Sequence, residues 1–87
     1  MLVFTNGCFD IIHRGHLELL KYCAELGDRV IVGLNDDKSV RRLKGKTRPI
    51  NNEEDRKFLL ESLIYVDEVI FFSESTPQDL INSIQPD

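Results

Sequence analysis

The feature that most constrains the fold of this chain is the continuous apolar run Val30-Ile31-Val32-Gly33-Leu34. An uninterrupted apolar strand is typical of a parallel sheet that is covered on both faces, whereas a strand with one face in water alternates apolar and polar residues. Two more β-prone runs, Leu2–Thr5 and Val69–Phe72, lie before and after it, and Asn6-Gly7 punctuates the end of the first. We therefore predict a parallel α/β sheet between helical layers, joined by right-handed crossovers.

The stretches between these runs have helical spacing. From Gly15 to Leu26 apolar residues recur every three or four positions, and Gly27 follows as a stop signal. A short helical turn is expected from Lys38 to Leu43, and a loop from Lys44 to Ile50.

Two further helices complete the prediction. The first starts at an Asn51 cap with Glu54 in the capping-box position, and its predicted buried stripe is Phe58, Leu59, Leu60 and Leu63. The second opens at Thr76-Pro77, places Leu80, Ile81 and Ile84 on one side, and ends at Pro86. The order β-α-β-α-β-α fills 87 residues, which allows a single domain. Three strands make a narrow sheet, so we expect residues 1–87 to be a partial, C-terminally truncated domain.

Charge is unevenly distributed along the chain. Six Lys and Arg residues and no Asp or Glu lie in residues 38–48, hereafter the basic segment, whereas the remaining residues include five basic and fifteen acidic ones. An acidic body is a poor general nucleic-acid binder, and a local cationic segment on it favours a small anionic ligand such as a phosphate. A solvated basic loop is the alternative that charge alone leaves open.

Export and membrane insertion have no support in the sequence. No apolar run approaches the roughly 20 residues that span a bilayer, and the N-terminus lacks a basic region followed by a long apolar one. Cys8 and Cys23 do not form a disulfide framework, so reduced thiols in the cytoplasm are expected.

The sharpest chemical signal is the segment from Thr5 to His16, TNGCFDIIHRGH. It runs from a strand end through a glycine turn to a helix N-terminus, at the carboxyl edge of the sheet where open α/β sheets bind ligands. Unpaired backbone N–H groups and the helix dipole attract phosphate there. Gly7, and likewise Gly15, permits a tight turn or a close approach to a ligand.

His13 and His16 are three residues apart, so their side chains can point the same way at the first helical turn. Two imidazoles aimed at an α-phosphate could donate hydrogen bonds to charge that develops in a displacement reaction. Two other interpretations of the histidine pair compete: a helix cap, and a zinc site that lacks a third ligand of suitable spacing. Cys8 could be a nucleophile, but no base evidently pairs with it, so a small buried residue is favoured.

These motifs resemble a known superfamily. Gly7-Cys8-Phe9-Asp10 followed by His13-Arg14-Gly15-His16 resembles the nucleotidylyltransferases, and the stretch from Asn35 to Asn51 is similar to the adenylyltransferase domains of ADP-heptose synthases. Val66-Asp67-Glu68-Val69 and Phe72-Ser73-Glu74-Ser75-Thr76-Pro77 continue the likeness. The resemblance implies a Rossmann-like, doubly wound parallel sheet. It also implies transfer of AMP from ATP to D-glycero-β-D-manno-heptose 1-phosphate, with release of pyrophosphate.

The resemblance further implies roles for particular residues. His13, His16 and Lys44 would be catalytic. The nucleotide would be bound by Gly7, Cys8, Phe9, His13, Gly15, His16, Lys44, Lys46 and Arg56. Asp10 and Asp37 would line the acceptor site, and Asp37 would end the second strand. Mg²⁺ would arrive with the triphosphate and have no protein side-chain ligand.

Two alternatives to this function stay open at the sequence level. One is a cytidylyltransferase acting on glycerol 3-phosphate or a similar polyol phosphate, and the other is an inactive fragment that only binds nucleotide. The expected partners are a nucleoside triphosphate and a small sugar phosphate, without nucleic acid or membrane. A homodimer is common in the superfamily and is carried as an open expectation. We expect the chain as given to turn over ATP poorly, because the resemblance places some of the residues that bind the triphosphate after Asp87.

Overall fold

The computed structural model describes residues 1–73 and 78–86. In chain order its elements are β1 (Leu2–Gly7), α1 (Arg14–Leu26), β2 (Arg29–Asn35), α2 (Asp37–Lys44), α3 (Glu53–Glu61), β3 (Glu68–Phe72) and α4 (Gln78–Ile84). The predicted alternation of strands and helices is confirmed, and the predicted helical turn at 38–43 is a helix of eight residues.

The three strands form one parallel sheet in the order β1-β2-β3. Val3 pairs with Val30, and Val32 pairs with Val69. Because β2 is paired on both sides, every residue in it after Arg29 is buried. The continuous apolar run is therefore the central strand, as predicted.

Helices cover both faces of this sheet. The core on one face includes Leu20, Cys23, Val30, Val32, Leu34, Leu60 and Val69, which come from α1, α3, β2 and β3. Side chains alternate between the two faces along a strand, so position 33 belongs to the opposite face of the sheet. A Cβ added to Gly33 would lie 2.7 Å from the Phe4 ring and 3.2 Å from Leu80 of α4. The sheet is therefore doubly wound, as predicted.

Three predicted boundaries were wrong. Strand β1 continues through Gly7, so the turn begins at Cys8. Asp37 opens α2 rather than ending β2, with Asp36 as the cap. The cap of α3 is Asn52, whose side chain accepts a hydrogen bond from the Asp55 N–H at 2.8 Å. Asn51 is instead held through its backbone: its N–H donates to the Asp10 carboxylate, and its carbonyl accepts from Arg56 Nε.

The predicted apolar stripe of α3 was also partly wrong. Leu60 is buried and Leu63 packs against the core, but Phe58 is 68% exposed and Leu59 is 44% exposed. The reason is that Arg56 is fully buried. Arg56 and Leu60 are one helical turn apart and share the buried face of α3, whereas Phe58, two positions from each, projects to the opposite side.

The last helix agrees with its predicted apolar side, since Leu80, Ile81 and Ile84 are all partly buried. Its predicted start at Thr76-Pro77 lies outside the described residues, as do Glu74, Ser75 and Asp87. None of the helices within the described ranges has the length and apolarity needed to cross a bilayer.

Candidate functional site

The turn after β1 positions the first part of the site. Phe9 adopts a φ of 49°, which is the left-handed region that bulky residues rarely occupy. Its ring is buried and lies 4.9 Å from the His16 ring, centroid to centroid. Such a backbone conformation costs on the order of 1–3 kcal/mol and persists only where the surroundings hold it. The buried Phe9 ring thus anchors the turn beneath the histidine pair.

Cys8 ties the same turn to β2. Its thiol donates to Asn35 Oδ1 at 3.7 Å, and its carbonyl accepts from Arg56 Nη1 at 2.8 Å. These contacts match the interpretation of Cys8 as a small packed residue. The N–H of the next residue, Phe9, makes no backbone hydrogen bond among the described residues outside helices and strands.

His13 and His16 together cap α1. His13 is the N-cap, and its Nδ1 accepts from the Gly15 N–H at 3.0 Å. The His13 N–H in turn donates to Nδ1 of His16 at 3.2 Å. The arrangement is a reciprocal capping box in which imidazole nitrogens replace the usual hydroxyl and carboxylate oxygens.

This cap determines the proton positions on both rings. A ring nitrogen that accepts a hydrogen bond carries no proton, so each neutral imidazole holds its proton on Nε2. The two rings stack with centroids 3.9 Å apart and planes 23° from parallel. Two Nε2–H donors therefore lie side by side at the positive end of the α1 dipole.

Burial and nearby positive charge disfavour the protonated form of His16 by lowering its pKa. Burial lowers the pKa of His16, and the neighbouring His13 and the Lys44 ammonium lower it further. Lys44, the last residue of α2, is thus one of the charges that lower the pKa of His16. The structure places the predicted residues His13 and His16 in direct contact, whereas the catalytic role of Lys44 stays a prediction.

Gly15 is required by the approach of the His13 ring. A Cβ at position 15 would lie 2.8 Å from His13 Cε1 and 3.1 Å from its Nδ1. Contacts under 3.0 Å do not occur for real Cβ atoms, so any side chain there displaces the imidazole. The glycine between the histidines therefore lets His13 fold back onto the helix N-terminus.

The basic segment divides between α2 and the connecting loop, which we define as residues 45–52. Lys44 is the last residue of α2, and Gly45 ends the helix with a φ of 105°, which favours glycine. Lys44 and Lys46 are exposed, and neither ammonium joins a hydrogen bond or ion pair within residues 1–73 and 78–86. Both cations are therefore free to meet an anion.

Asp10 presents no carboxylate surface to a substrate, because its side chain is fully buried. Its Oδ2 accepts from Arg48 Nε at 2.9 Å and from the Ile50 N–H at 2.6 Å, and its Oδ1 accepts from the Asn51 N–H at 2.9 Å. Burial raises the pKa of Asp10, but the hydrogen bonds from Asn51, Ile50 and Arg48 outweigh it and leave the pKa below its usual value. The predicted substrate contact of Asp10 is not made in this conformation.

Arg56 likewise has no surface with which to touch a nucleotide, because its side chain is fully buried. Its guanidinium donates to the carbonyls of Cys8, Asn35 and Asn51 at 2.8, 2.7 and 2.9 Å. It also pairs with Asp37 Oδ1 at 2.8 Å, so the predicted acceptor residue Asp37 is held by Arg56. Arg56 thus joins the ends of β1 and β2 to the starts of α2 and α3.

Arg48 is the residue whose role sequence reasoning missed, since it was counted only as part of the positive field. Its contact with Asp10 spans 38 residues, and no local pattern pairs positions so far apart. The sequence did contain one signal for this contact. Asp10 is an acidic residue in a turn otherwise suited to bind anions, which indicates that a cation pairs with it.

Around this site the described residues form no enclosed pocket. No three His, Cys, Asp or Glu side chains within the described ranges come together as a metal-holding group.

Comparison with known proteins gives one consistent result. The model of the cytidylyltransferase-like family matches residues 4–87. The chain is 58% identical over 86 residues to the bifunctional protein HldE of Helicobacter pylori strain Shi470, and 57% identical over 86 residues to that of Wolinella succinogenes. These alignments cover 99% of this chain but only 19% and 18% of the two relatives. The chain therefore spans about a fifth of their length.

A solved structure agrees in fold. The lipopolysaccharide core biosynthesis protein from Thermoplasma volcanium GSS1 superposes with a TM-score of 0.86 and 36% identity, over 100% of this chain and 70% of that one. A three-stranded parallel sheet, a histidine-capped helix at its carboxyl edge and the family match lead to one conclusion. The chain belongs to the cytidylyltransferase-like family.

Proposed function

We propose that this chain is the nucleotidyltransferase part of an enzyme that transfers AMP from ATP to a heptose 1-phosphate and releases pyrophosphate. Family membership and similarity to the HldE proteins support nucleotidyl transfer. The observation that carries the proposal is the pair of Nε2–H donors at the start of α1, with the exposed ammonium groups of Lys44 and Lys46 on the basic segment.

The chemistry requires positioning and charge stabilisation rather than a protein nucleophile. A phosphate oxygen of the sugar phosphate attacks the α-phosphorus of ATP. The bond from that phosphorus to the bridging oxygen of the β-phosphate breaks, and pyrophosphate leaves with the electron pair. Negative charge on the α-phosphate oxygens grows during the step, and donors already aimed at those oxygens stabilise it.

Each residue of the site has a proposed role in that step. His13 and His16 donate from Nε2 to the α-phosphate oxygens, and the α1 dipole adds positive potential there. Lys44 and Lys46 neutralise the pyrophosphate as it leaves. The N–H of Phe9 and the backbone around Gly7 and Cys8 contact the triphosphate. Gly15 permits the ring position of His13, and Arg56 holds Asp37 in place as a positioning residue.

Mg²⁺ fits this site as a companion of the triphosphate. It prefers oxygen ligands and is commonly held by substrate phosphates and water. The carboxylates of Asp10 and Asp37 are engaged by Arg48 and Arg56, so the phosphates are the natural oxygen donors. When bound, the ion supplies additional charge neutralisation. We also propose that the enzyme works in the cytoplasm, with Cys8 and Cys23 as free thiols.

The test is a matrix of nucleotides and acceptors. The full-length protein is incubated with ATP or CTP and with heptose 1-phosphate or glycerol 3-phosphate, and pyrophosphate release is measured. The proposal expects release with ATP and heptose 1-phosphate above the other pairs. Faster release with CTP and glycerol 3-phosphate would show a polyol-phosphate cytidylyltransferase instead, and binding without release would show a nucleotide-binding module.

A further inference from the structure

A buried ion pair connects two parts of the site that are far apart in the chain. Asp10 lies in the turn between β1 and α1, three residues before His13, whereas Arg48 lies in the connecting loop. Besides the ion pair at 2.9 Å, Arg48 Nη2 donates to the Asp10 carbonyl. With the Ile50 and Asn51 N–H groups, four donors of residues 48–51 converge on Asp10.

Apart from Asp10, the connecting loop is contacted by Arg56, whose Nε donates to the Asn51 carbonyl at 2.9 Å. Lys46 and Thr47 are exposed, and so is Ile50, the large apolar residue of the loop. The Arg48 N–H bonds to the Gly45 carbonyl at 3.2 Å, which shapes the turn but does not attach it to the body. Between Gly45 and the cap of α3, Asp10 is therefore the main attachment of the loop to the rest of the protein.

Lys44 and Lys46 depend differently on this attachment. Lys44 belongs to α2, so the helix itself fixes its backbone. Lys46 lies between the end of α2 and the Asp10 attachment, so its position follows that of the loop. Charge-assisted hydrogen bonds to a buried carboxylate are among the stronger ones, and Asp10 receives them from three directions.

We infer that Asp10 and Arg48 form a positioning pair that places Lys46 against the triphosphate bound at the histidine pair. This inference rests on the proposed function in that it assigns Lys46 to the triphosphate. It goes beyond that function in two ways. Asp10 is given a positioning role instead of substrate contact, and the position of Lys46, unlike that of Lys44, is made dependent on Asp10. Asp10 and Arg48 act through Lys46 and touch neither the nucleotide nor the acceptor.

The test is a double-mutant cycle read by nucleotide affinity. Asp10→Asn removes the charge and puts an NH₂ group where a carboxylate oxygen received N–H donors. Its Kd for ATP, measured by isothermal titration on the full-length protein, is expected to rise about ten-fold, or roughly 1.4 kcal/mol. Lys46→Ala is expected to have a similar effect, and the double variant is expected to be no weaker than either single one, because both changes remove the same interaction.

Lys44→Ala provides the matched comparison. Its effect is expected to add to that of Asp10→Asn, since the position of Lys44 does not pass through the loop. Glu68→Gln, which removes the exposed pair with Arg29 at 2.8 Å, is the charge-matched control and is expected to leave the Kd unchanged. Arg48→Lys tests the pair without disturbing the buried carboxylate, and it is expected to show the same non-additivity with Lys46→Ala.

The outcomes separate this inference from the proposed function. Additive effects of Asp10→Asn or Arg48→Lys with Lys46→Ala would overturn the positioning pair, as would an unchanged Kd in both variants. If Asp10→Asn does not fold, the Arg48→Lys cycle alone decides. If the variants show the expected non-additivity in ATP affinity but the wild-type protein releases no pyrophosphate with any acceptor, the proposed function is refuted and the positioning pair is retained. Wild-type protein that binds neither ATP nor CTP would refute both.

Discussion

His13 combines two tasks that a single substitution can separate. It caps α1 through Nδ1, and it presents Nε2–H to the proposed phosphate site. Asparagine is among the best N-cap residues, and its side-chain oxygen can accept the Gly15 N–H in place of Nδ1. It has no group at the position of Nε2. His13→Asn therefore keeps the cap and removes the donor, whereas His13→Ala removes both.

The expected magnitudes differ in stability but not in catalysis. Loss of an N-cap side chain costs about 1 kcal/mol of unfolding free energy, within a range of about 0.5–2. We expect this loss in His13→Ala and a change under about 0.5 kcal/mol in His13→Asn. Removal of one preorganised donor costs about 10²–10³ in kcat, or roughly 2.7–4 kcal/mol. Both variants are therefore expected to lose activity by that factor.

The assay measures pyrophosphate release at saturating substrates and urea unfolding on the same samples. Asn52→Ala is the matched control, because it removes the cap of α3 outside the proposed site. It is expected to lose about 1 kcal/mol of stability without loss of kcat. If His13→Asn keeps the wild-type kcat, His13 is only a helix cap and the proposed donor role is refuted.

Three further predictions concern the surroundings of the histidine pair. Gly15→Ala is expected to lower kcat at least about ten-fold while gaining at most about 1 kcal/mol of helix propensity, because its Cβ displaces the His13 ring; wild-type turnover would contradict this. Arg56→Met is expected to cost about 3–5 kcal/mol in urea unfolding, because it removes the fully buried cation that pairs with Asp37 and donates to the carbonyls of Cys8, Asn35 and Asn51. The control Arg29→Met, in an exposed pair, should cost under about 1 kcal/mol, and equal costs would refute the role of Arg56. The pKa of His16 in the folded protein lies below its value in the unfolded chain, which is about 6.5. The neutral His16 therefore contributes fully to the free energy of unfolding above pH 6.5. This contribution is lost as the pH falls through the folded-state pKa. Urea unfolding at pH 7.5 and 5.5 should show this loss in wild type and less of it in His16→Gln; identical losses would contradict the assignment.

Much of the architecture could be predicted because it depends on local patterns. The run Val30–Leu34 is apolar at every position, and only the central strand of a covered parallel sheet has that requirement. The spacing of His13, Gly15 and His16 predicted a helix N-terminus suited to phosphate, and the structure places a reciprocal cap there. Gly27 was expected as a stop signal and is the C-cap of α1.

The errors arose where a long-range contact overrode a local preference. Asn51 has the chemistry of a cap, but its backbone is fixed by contacts with Asp10 and Arg56, and α3 is capped by Asn52. Phe58 and Leu59 have the hydrophobicity of core residues. They face outward because Arg56 occupies the inward position, where four oxygen acceptors offset the cost of burying its charge.

The sequence by itself determined the order of elements, the parallel sheet and the place of the histidine pair at its carboxyl edge. Each of these follows from residue type and spacing within about a dozen neighbouring positions. Only the tertiary structure decided what the charged residues do. Asp10 and Arg48 meet across 38 positions, and Arg56 reaches carbonyls from two other elements. The energy of a buried charge depends on the partners that folding brings to it, and a linear pattern of charges does not contain them.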